Sequence, residues 1–218
     1  MNAAPFETFS SLTAHSWLRH GFIQRTPQIA LQVEREIALE RLRESHQAAI
    51  AEIGLATKTL ITAQQVHSQN VERVDRNSIG VRAECDGLLT NDPQISLGIY
   101  TADCGAIFLA DPEHRAIGLL HSGRKGTELG ILSVAIEKMQ QEFGTDPRLL
   151  TIQLAPCIRP PHYEIDFAAD IQHQANSAGV KNYHDCGACT ASDLEKYYSY
   201  RRELGKTGRH LSVLGYAS

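Results

Sequence analysis

Short apolar segments that lie in groups between helical patterns are the feature that most constrains the fold of this chain. Four segments with the length and composition of β-strands follow one another at 59–66, 97–102, 106–110 and 115–120. A strict alternation of strands and helices would instead indicate a parallel sheet, so the grouping predicts a mixed α+β fold. The chain contains no internal repeat and no low-complexity linker, and we therefore expect one domain over residues 1–218.

Helical periodicity flanks and interrupts these segments. Apolar residues recur at helical spacing from about residue 30 to 53, and Gly54 follows as a stop signal. A second helix is predicted over 127–143, with Thr127 as its N-cap, and a third near 167–178. Two further strands complete the prediction, at 150–155 and near 209–214.

The composition excludes several classes of protein. A formal net charge of −4 gives no reason to expect nucleic-acid or membrane-surface binding. No apolar segment has the length of a membrane span, and the N-terminal residues lack the pattern of a secretory signal. The five cysteines are irregularly spaced, so a disulfide framework is not expected. We expect a cytoplasmic enzyme or binding protein with neither nucleic-acid nor membrane partners.

Three metal-ligand residue types stand where predicted strands end: His67, Cys104 and His121. Strand ends of one sheet can converge, and two imidazoles with one thiolate suit zinc while leaving a fourth position open. The alternative is that the histidines are hydrogen-bonded core residues and the cysteine a small apolar filler. Asp86 and Asp103 could orient a ligand imidazole or act as a base, although such aspartates often cap turns.

A glycine-spaced basic turn follows His121 and contains Gly123, Arg124, Lys125 and Gly126. Glycines allow close backbone approach, and the free N–H groups at a helix start attract anions, so the turn could hold a phosphate or carboxylate. The order of residues is not that of a P-loop. A tight strand–helix turn with solvated cations remains the alternative.

Two later motifs are less specific. The segment Cys-Gly-Ala-Cys at 186–189 has no second cysteine pair nearby, and unpaired thiols in a turn are its simplest interpretation. The segment 197–209 places tyrosines beside Arg201, Arg202, Lys206 and Arg209. Tyrosine faces can stack on a purine and arginines can bind phosphate, but an exposed basic turn accounts for the pattern nearly as well.

Taken in series, these motifs resemble the YfiH-type family, also catalogued as laccase-domain or polyphenol oxidase proteins and associated with purine nucleoside phosphorylase activity. The resemblance covers most of the chain. It rests on seven segments: "RHGFIQR" (19–25), "QQVHSQNV" (64–71), "CDGLLTNDP" (85–93), "TADCGAIFLADPE" (101–113), "HSGRKGTELGIL" (121–132), "APCIRPPHYEI" (155–165) and "YYSYRRELGKTGR" (197–209).

The resemblance implies a single compact α+β domain with mixed sheets packed between helices. It implies a zinc ion on the His–Cys–His set, and phosphorolysis of adenosine, inosine, guanosine and methylthioadenosine with some adenosine deamination. The small-molecule partners would be a nucleoside and phosphate. The catalytic set would be Cys104, His67, His121 and Asp103, with Glu164 as another acid for deamination. Phosphate or substrate would be bound by Arg124, Lys125, Gly126, Arg201 and Arg202.

This chain departs from the family pattern in the basic turn. The family loop usually reads His-Ala-Gly-Trp-Arg-Gly, whereas Arg124 and Lys125 replace the Trp and Arg here. Lysine lacks the bidentate fork of arginine, so substrate choice and rate stay open. The family's cysteine-rich stretch before Tyr-Glu is Pro-Pro-His at 160–162, and the segment after "RHGF" is shortened.

Three other functions remain open from the sequence. A copper-dependent polyphenol oxidase would need His-x-His pairs, and none occurs among the ten histidines. A peptidoglycan-precursor editing hydrolase would use the same thiolate and histidines. A degenerate metal-binding member of the family would keep the metal without turnover.

Overall fold

Two six-stranded mixed sheets form the centre of the structure, a computed structural model that describes residues 5–217. Strands and helices are numbered in chain order. The first sheet has the spatial order β1 (Phe6–Glu7), β2 (Leu18–Ile23), β12 (His210–Tyr216), β7 (Ile95–Thr101), β3 (Thr59–Ala63) and β5 (Val81–Arg82). The second has the order β11 (Asn182–Asp185), β10 (Thr151–Leu154), β8 (Gly105–Asp111), β9 (Ala116–Ser122), β6 (Gly87–Thr90) and β4 (Val71–Arg73).

Helices cover the outer faces of both sheets. The helices are α1 (Ser10–Thr13), α2 (Arg35–Ile53), α3 (Arg124–Glu128), α4 (Ile131–Phe143) and α5 (Phe167–Ser177). Ile50 and Ile53 of α2 pack against Leu211 and Val213 of β12 on the first sheet. Helices α4 and α5 pack against the second sheet. The result is a layered α+β domain with mixed sheets between helices, as predicted.

The alternation of side chains along β8 shows how the two sheets share a core. Phe108, with its neighbours two residues away on either side, belongs to the apolar cluster between the sheets. Ile107 and Leu109 point the other way and join the cluster under α4 and α5. Because successive side chains of a strand face opposite sides, a strand buried on both faces reads as one continuous apolar run. This explains why the central strands were recognisable in the sequence.

Two helix boundaries differ from the prediction. Helix α2 begins at Arg35 rather than near residue 30, because Leu31 packs beside Tyr198 from an irregular segment. It ends at Gly54 as predicted, with a left-handed φ of 91°. The helix predicted over 127–143 is two helices, α3 and α4, separated at Gly130, whose φ is 82°.

Thr127 is therefore not an N-cap, and this prediction was wrong. It lies within α3, where its hydroxyl donates to the Gly123 carbonyl at 2.8 Å. The same oxygen lies 2.8 Å from the Ser122 hydroxyl, and Gln174 donates to the Thr127 carbonyl at 2.8 Å. These bonds fix the basic turn to β9 and α5.

Some strands lacked a usable pattern. Strand β2 contains Arg19, His20 and Gly21, which interrupt the apolar alternation. Strand β3 ends at Ala63 rather than at residue 66, because the chain then leaves the sheet toward His67. Among residues 5–217, no helix has both the length and the apolar character needed to cross a membrane.

Candidate metal centre and its cavity

The structure brings together His67, Cys104 and His121, which are far apart in the sequence. His67 follows β3 in a loop, Cys104 lies in the bend between β7 and β8, and His121 is a residue of β9. One donor atom from each of the three lies within 4.8 Å of the other two. The two imidazole rings are 4.8 Å apart and nearly perpendicular, at 78°. Within the described part of the chain, no other group of three such ligands comes together.

The fully buried carboxylate of Asp86 holds the two histidines of this donor set through hydrogen bonds. Its Oδ1 accepts hydrogen bonds from the His121 Nδ1 at 2.7 Å and the His67 backbone N–H at 2.9 Å. Its Oδ2 accepts from the backbone N–H and the hydroxyl of Ser68, at 2.7 and 2.8 Å, and from the Val66 N–H at 3.2 Å. Nδ1 of His121 is therefore hydrogen-bonded to the carboxylate, and Nε2 is left available to bind a metal. The carboxylate also holds His67 at its left-handed φ of 60°.

The charges of these groups support one another. Burial opposes thiolate formation, but the charge and hydrogen bonds of His121 and His67 outweigh it and lower the pKa of Cys104 to about 6. Burial also opposes the imidazolium, yet Cys104 and Asp86 raise the pKa of His121 to about 9. Burial likewise opposes ionisation of Asp86, but its bonds from His121 and Ser68 lower its pKa to about 2. In the metal-free site these shifts favour a thiolate on Cys104, an imidazolium on His121 and a carboxylate on Asp86.

The donor chemistry fits a zinc ion. Zinc binds the thiolate form of cysteine and neutral imidazoles, and catalytic zinc sites keep a position open beyond three protein ligands. Here the thiolate is already favoured, and a carboxylate orients one imidazole. A metal bound by His67, Cys104 and His121 would take the place of the proton on Nε2 of the His121 imidazolium.

Gly123 allows the turn that follows β9 to pass close to the side chain of Cys104. A Cβ at this position would collide with the Sγ of Cys104. Glycine therefore lets the turn pass beside the thiol. Gly126 lies against the Ser68 backbone, whose carbonyl oxygen would be 3.3 Å from an added Cβ. The glycines thus serve close packing of the backbone around the donor set.

The donor set opens into a cavity of about 670 Å³. Its walls include four aromatic side chains, Tyr100, Tyr163, Phe167 and Tyr200. They also include four arginines, Arg35, Arg124, Arg201 and Arg209. Ligand sites of this size with a few convergent polar groups are typical of small-molecule binding.

The structure divides the residues predicted to bind phosphate. Arg124 and Arg201 line the cavity, and each is paired with an exposed carboxylate, Glu128 at 2.8 Å and Glu164 at 3.0 Å respectively. Three other predicted residues do not line it: Lys125, Gly126 and Arg202. Lys125 and Arg202 are exposed, whereas Gly126 is buried.

Asp103 lines the cavity, but its carboxylate oxygens are occupied by hydrogen bonds. Oδ1 accepts from the Thr190 hydroxyl at 2.7 Å. Oδ2 accepts from the Ser199 hydroxyl at 3.0 Å and the Arg201 backbone N–H at 2.7 Å. Asp103 itself has a left-handed φ of 81°. These bonds hold the tyrosine- and arginine-rich segment beside the end of β7.

Gln65 and Arg35 are among the cavity residues that the sequence interpretation missed. The Gln65 amide donates to the Tyr100 carbonyl at 2.6 Å and accepts from the Tyr100 N–H at 3.0 Å. It thereby joins the His67 loop to β7, and the paired glutamines before His67 were the available signal. Arg35 stands on the first turn of α2, where nothing in an amphipathic helix pattern distinguishes it.

The remaining cysteines do not belong to this donor set. All five cysteines fall within the described residues and are free thiols. Cys186 is exposed. Cys157 and Cys189 form an isolated backbone bridge next to the Arg159–Asp185 ion pair. No role in the donor set follows for the Cys-Gly-Ala-Cys segment.

Comparisons with known proteins agree with this architecture. A purine nucleoside phosphorylase of Campylobacter jejuni is 32% identical over 172 residues, which cover 69% of this chain and 74% of the relative. One of Deinococcus radiodurans is 28% identical over 224 residues, covering 90% and 86%. Crystal structures of YlmD from Geobacillus stearothermophilus and YfiH from Bacillus licheniformis have the same fold, with TM-scores of 0.82 and 0.78 and 19% identity in each case. They cover 94% and 91% of this chain, and 93% and 92% of the neighbours.

A family model covers most of the sequence, with matches at residues 30–170 and 162–217. Its description is multi-copper polyphenol oxidoreductase laccase. On this match, on the 32% identical relative and on the shared fold, the chain belongs to this laccase-domain family, whose solved members include YfiH and YlmD.

Proposed function

We propose that this protein is a zinc-dependent purine nucleoside phosphorylase in which the whole chain forms one catalytic domain. The observation that carries the proposal is the His67–Cys104–His121 donor set at the wall of a cavity lined by aromatic side chains and arginines. The relatives named purine nucleoside phosphorylase support the reaction class.

Zinc suits the donor set better than a copper cluster does. A multicopper oxidase needs several copper sites, usually bridged by His-x-His pairs. The described residues contain one group of three ligands, and the sequence has no His-x-His. Zinc bound by His67, Cys104 and His121 would supply Lewis acidity beside the substrate. The protein's own part is to present Cys104 as a thiolate and to hold His121 through Asp86.

The cavity walls suit a nucleoside and phosphate. The faces of Tyr100, Tyr163 and Tyr200 offer stacking surfaces for a purine. Arg124 and Arg201 stand on the same walls and would contact the substrate, and their guanidinium groups favour anionic partners. Asp103 would serve as a positioning residue, because its hydrogen bonds hold the segment that carries Tyr200 and Arg201.

Phosphorolysis requires three changes at the sugar. A phosphate oxygen forms a bond to C1′ of the ribose, the bond from C1′ to the purine nitrogen breaks, and its electron pair leaves with the base. The base then gains a proton. The ribose becomes oxocarbenium-like and negative charge develops on the base, so a cation or N–H donor placed at the base lowers the barrier, and the phosphate anion beside C1′ stabilises the ribose. The arginines would also bring the phosphate dianion to the sugar.

The substrates that we propose are adenosine, inosine, guanosine and methylthioadenosine, with adenosine deamination as a minor reaction of the same site. We expect the replacement of the family's Trp and Arg by Arg124 and Lys125 to change the rate of phosphorolysis and to leave metal binding unchanged. Lys125 does not line the cavity, so loss of the family's arginine at this position leaves the cavity's own arginines in place.

The test is release of the free base from each of the four nucleosides by purified protein, with and without inorganic phosphate, and with zinc quantified in the same sample. Cys104→Ala removes the proposed thiolate ligand, and Cys186→Ala removes an exposed thiol elsewhere as a matched control. We expect stoichiometric zinc and phosphate-dependent release in the wild type and in Cys186→Ala, and neither in Cys104→Ala.

Two outcomes would contradict the proposal. Cleavage that does not need phosphate would indicate a hydrolase, the class to which precursor editing belongs. Full zinc occupancy without turnover of any of the four nucleosides would indicate a degenerate metal-binding member.

A further inference from the structure

The four arginines of the cavity fall into two classes by their partners. Arg124 and Arg201 are each neutralised by a carboxylate within 3.0 Å. Arg209 has no carboxylate within ion-pair distance among residues 5–217. Arg35 has only its neighbour Glu36, at 3.9 Å, and that side chain is 78% exposed. A glutamate partly offsets the charge of each arginine of the first pair, whereas the second pair has only the long contact between Arg35 and Glu36.

Arg209 is held in place by backbone carbonyl groups and not by a carboxylate. One of its guanidinium nitrogens donates to the carbonyl oxygens of Thr207 and Gly208, at 2.8 and 2.9 Å. The guanidinium also lies 5.8 Å from the centre of the Tyr200 ring. These contacts bind the side chain to the cavity wall and leave its remaining N–H groups for a ligand.

Arg35 adds a second positive charge to the same region. Both arginines line the cavity that contains the donor set. The pKa of Arg209 is lowered, first by burial and then by the positive charge of Arg35. Two like charges in a partly buried wall destabilise each other unless an anion lies between them.

We infer that Arg35 and Arg209 form the subsite for a phosphoryl group in this cavity. A dianionic phosphoryl group can accept several N–H bonds from each guanidinium, and arginine forks match its oxygens bidentately. This inference rests on the proposed phosphorylase function and adds to it, because neither residue belongs to the basic turn on which the sequence pattern placed phosphate. The phosphoryl group could be inorganic phosphate or the phosphate ester of a nucleotide.

The test measures binding directly, so it does not depend on turnover. Inorganic phosphate and inosine 5′-monophosphate are titrated separately by calorimetry into zinc-loaded wild type, Arg35→Gln and Arg209→Gln. Arg148→Gln is the control, since Arg148 is an exposed arginine that does not line the cavity. Arg124→Gln and Arg201→Gln complete the set. Arg35 lies on the first turn of α2 with its side chain 41% exposed, so Arg35→Gln stays informative even where Arg209→Gln fails to fold.

We expect Arg35→Gln and Arg209→Gln each to weaken phosphoryl binding on the order of 10- to 100-fold, the cost of losing a charge-assisted contact. Arg148→Gln should leave it unchanged, and the two paired arginines should matter less. Loss with inorganic phosphate assigns the subsite to the co-substrate, and loss with the nucleotide alone assigns it to the substrate. If Arg35→Gln and Arg209→Gln weaken phosphoryl binding but the wild type performs no phosphorolysis, the phosphoryl subsite is supported and the proposed phosphorylase function is contradicted.

The inference is overturned by either of two results. One is a wild type that binds neither probe. The other is a loss of binding that follows Arg124→Gln or Arg201→Gln while Arg35→Gln and Arg209→Gln bind like the wild type.

Discussion

Replacing Asp86 with asparagine changes one oxygen of a fully buried carboxylate into an NH₂ group. Five hydrogen bonds end on this carboxylate, from the backbone N–H groups of residues 66, 67 and 68, the Ser68 hydroxyl and the His121 ring. An asparagine has one acceptor oxygen, so either His121 and the His67 N–H, or the Ser68 side of the network, must face a donor. An NH₂ group facing Nδ1 of His121 would also favour the tautomer that protonates Nε2 and removes a metal ligand.

The expected magnitudes follow from these contacts. If the NH₂ group faces His121, the ring can change tautomer and only the His67 N–H loses its acceptor; if it faces Ser68, the N–H groups of Val66 and Ser68 lose theirs. Each unpaired buried donor costs about 1–3 kcal/mol, so we expect the free energy of unfolding of Asp86→Asn to fall by about 1–6 kcal/mol. Removing the carboxylate that orients a metal-bound histidine lowers metal affinity by about 10- to 100-fold. The assays are urea unfolding of the metal-free protein and zinc titration against a competing chelator.

Asp111→Asn is the matched control. Asp111 is 1% exposed and accepts from the backbone N–H groups of residues 113 and 114, the Thr145 hydroxyl and the His114 ring. It stands at the other end of β8 from Cys104. We expect Asp111→Asn to lose stability and to bind zinc as the wild type does. Wild-type zinc affinity in a folded Asp86→Asn would refute the role given to Asp86.

Three further predictions concern the turn, the cavity wall and acid stability. Gly123→Ala should weaken zinc binding while the far-UV circular dichroism stays unchanged, because the new Cβ meets the Cys104 sulfur; unchanged zinc affinity would contradict this. Gln65→Ala should lower the free energy of unfolding by about 1–3 kcal/mol in thermal unfolding, since it breaks both hydrogen bonds to the Tyr100 backbone. A change below about 0.5 kcal/mol would contradict a stabilising role for these two bonds. Burial lowers the pKa values of His20, His46 and His210 to about 4, 4 and 3. Below about pH 6.5 the unfolded chain therefore binds more protons than the folded protein does. The free energy of unfolding should fall as the pH drops from about 6.5 toward 4, by up to about 4 kcal/mol per pH unit. Urea titrations of metal-free protein at pH 7 and pH 5 measure this fall, and equal stabilities would contradict it for His20, His46 and His210.

The parts of the fold that the sequence predicted are those in which local pattern and burial agree. Strands β7, β8 and β9 are buried on both faces, so their apolar runs were visible without knowledge of the partners. Strand β2 was not visible, because His20 is a core residue that accepts a hydrogen bond from the Phe9 N–H at 2.8 Å. A histidine in an apolar run looks like an interruption until its partner is known.

The same distinction holds for the cavity. His67, Cys104 and His121 could be proposed because their residue types carry metal chemistry and follow apolar segments. The contribution of Arg35 could not be proposed, because it depends on where α2 docks against the first sheet. Arg124 and Arg201 were assigned to phosphate from their motifs and from the family resemblance. Their carboxylate partners became visible only in the structure.

The most direct measurement of the central claim is a ³¹P NMR spectrum of the zinc-loaded protein with inosine and inorganic phosphate. We predict a new phosphomonoester resonance from ribose 1-phosphate, growing in equal amount with free hypoxanthine and absent from the Cys104→Ala variant. Hypoxanthine released together with unphosphorylated ribose, or an unchanged phosphate signal, would contradict it.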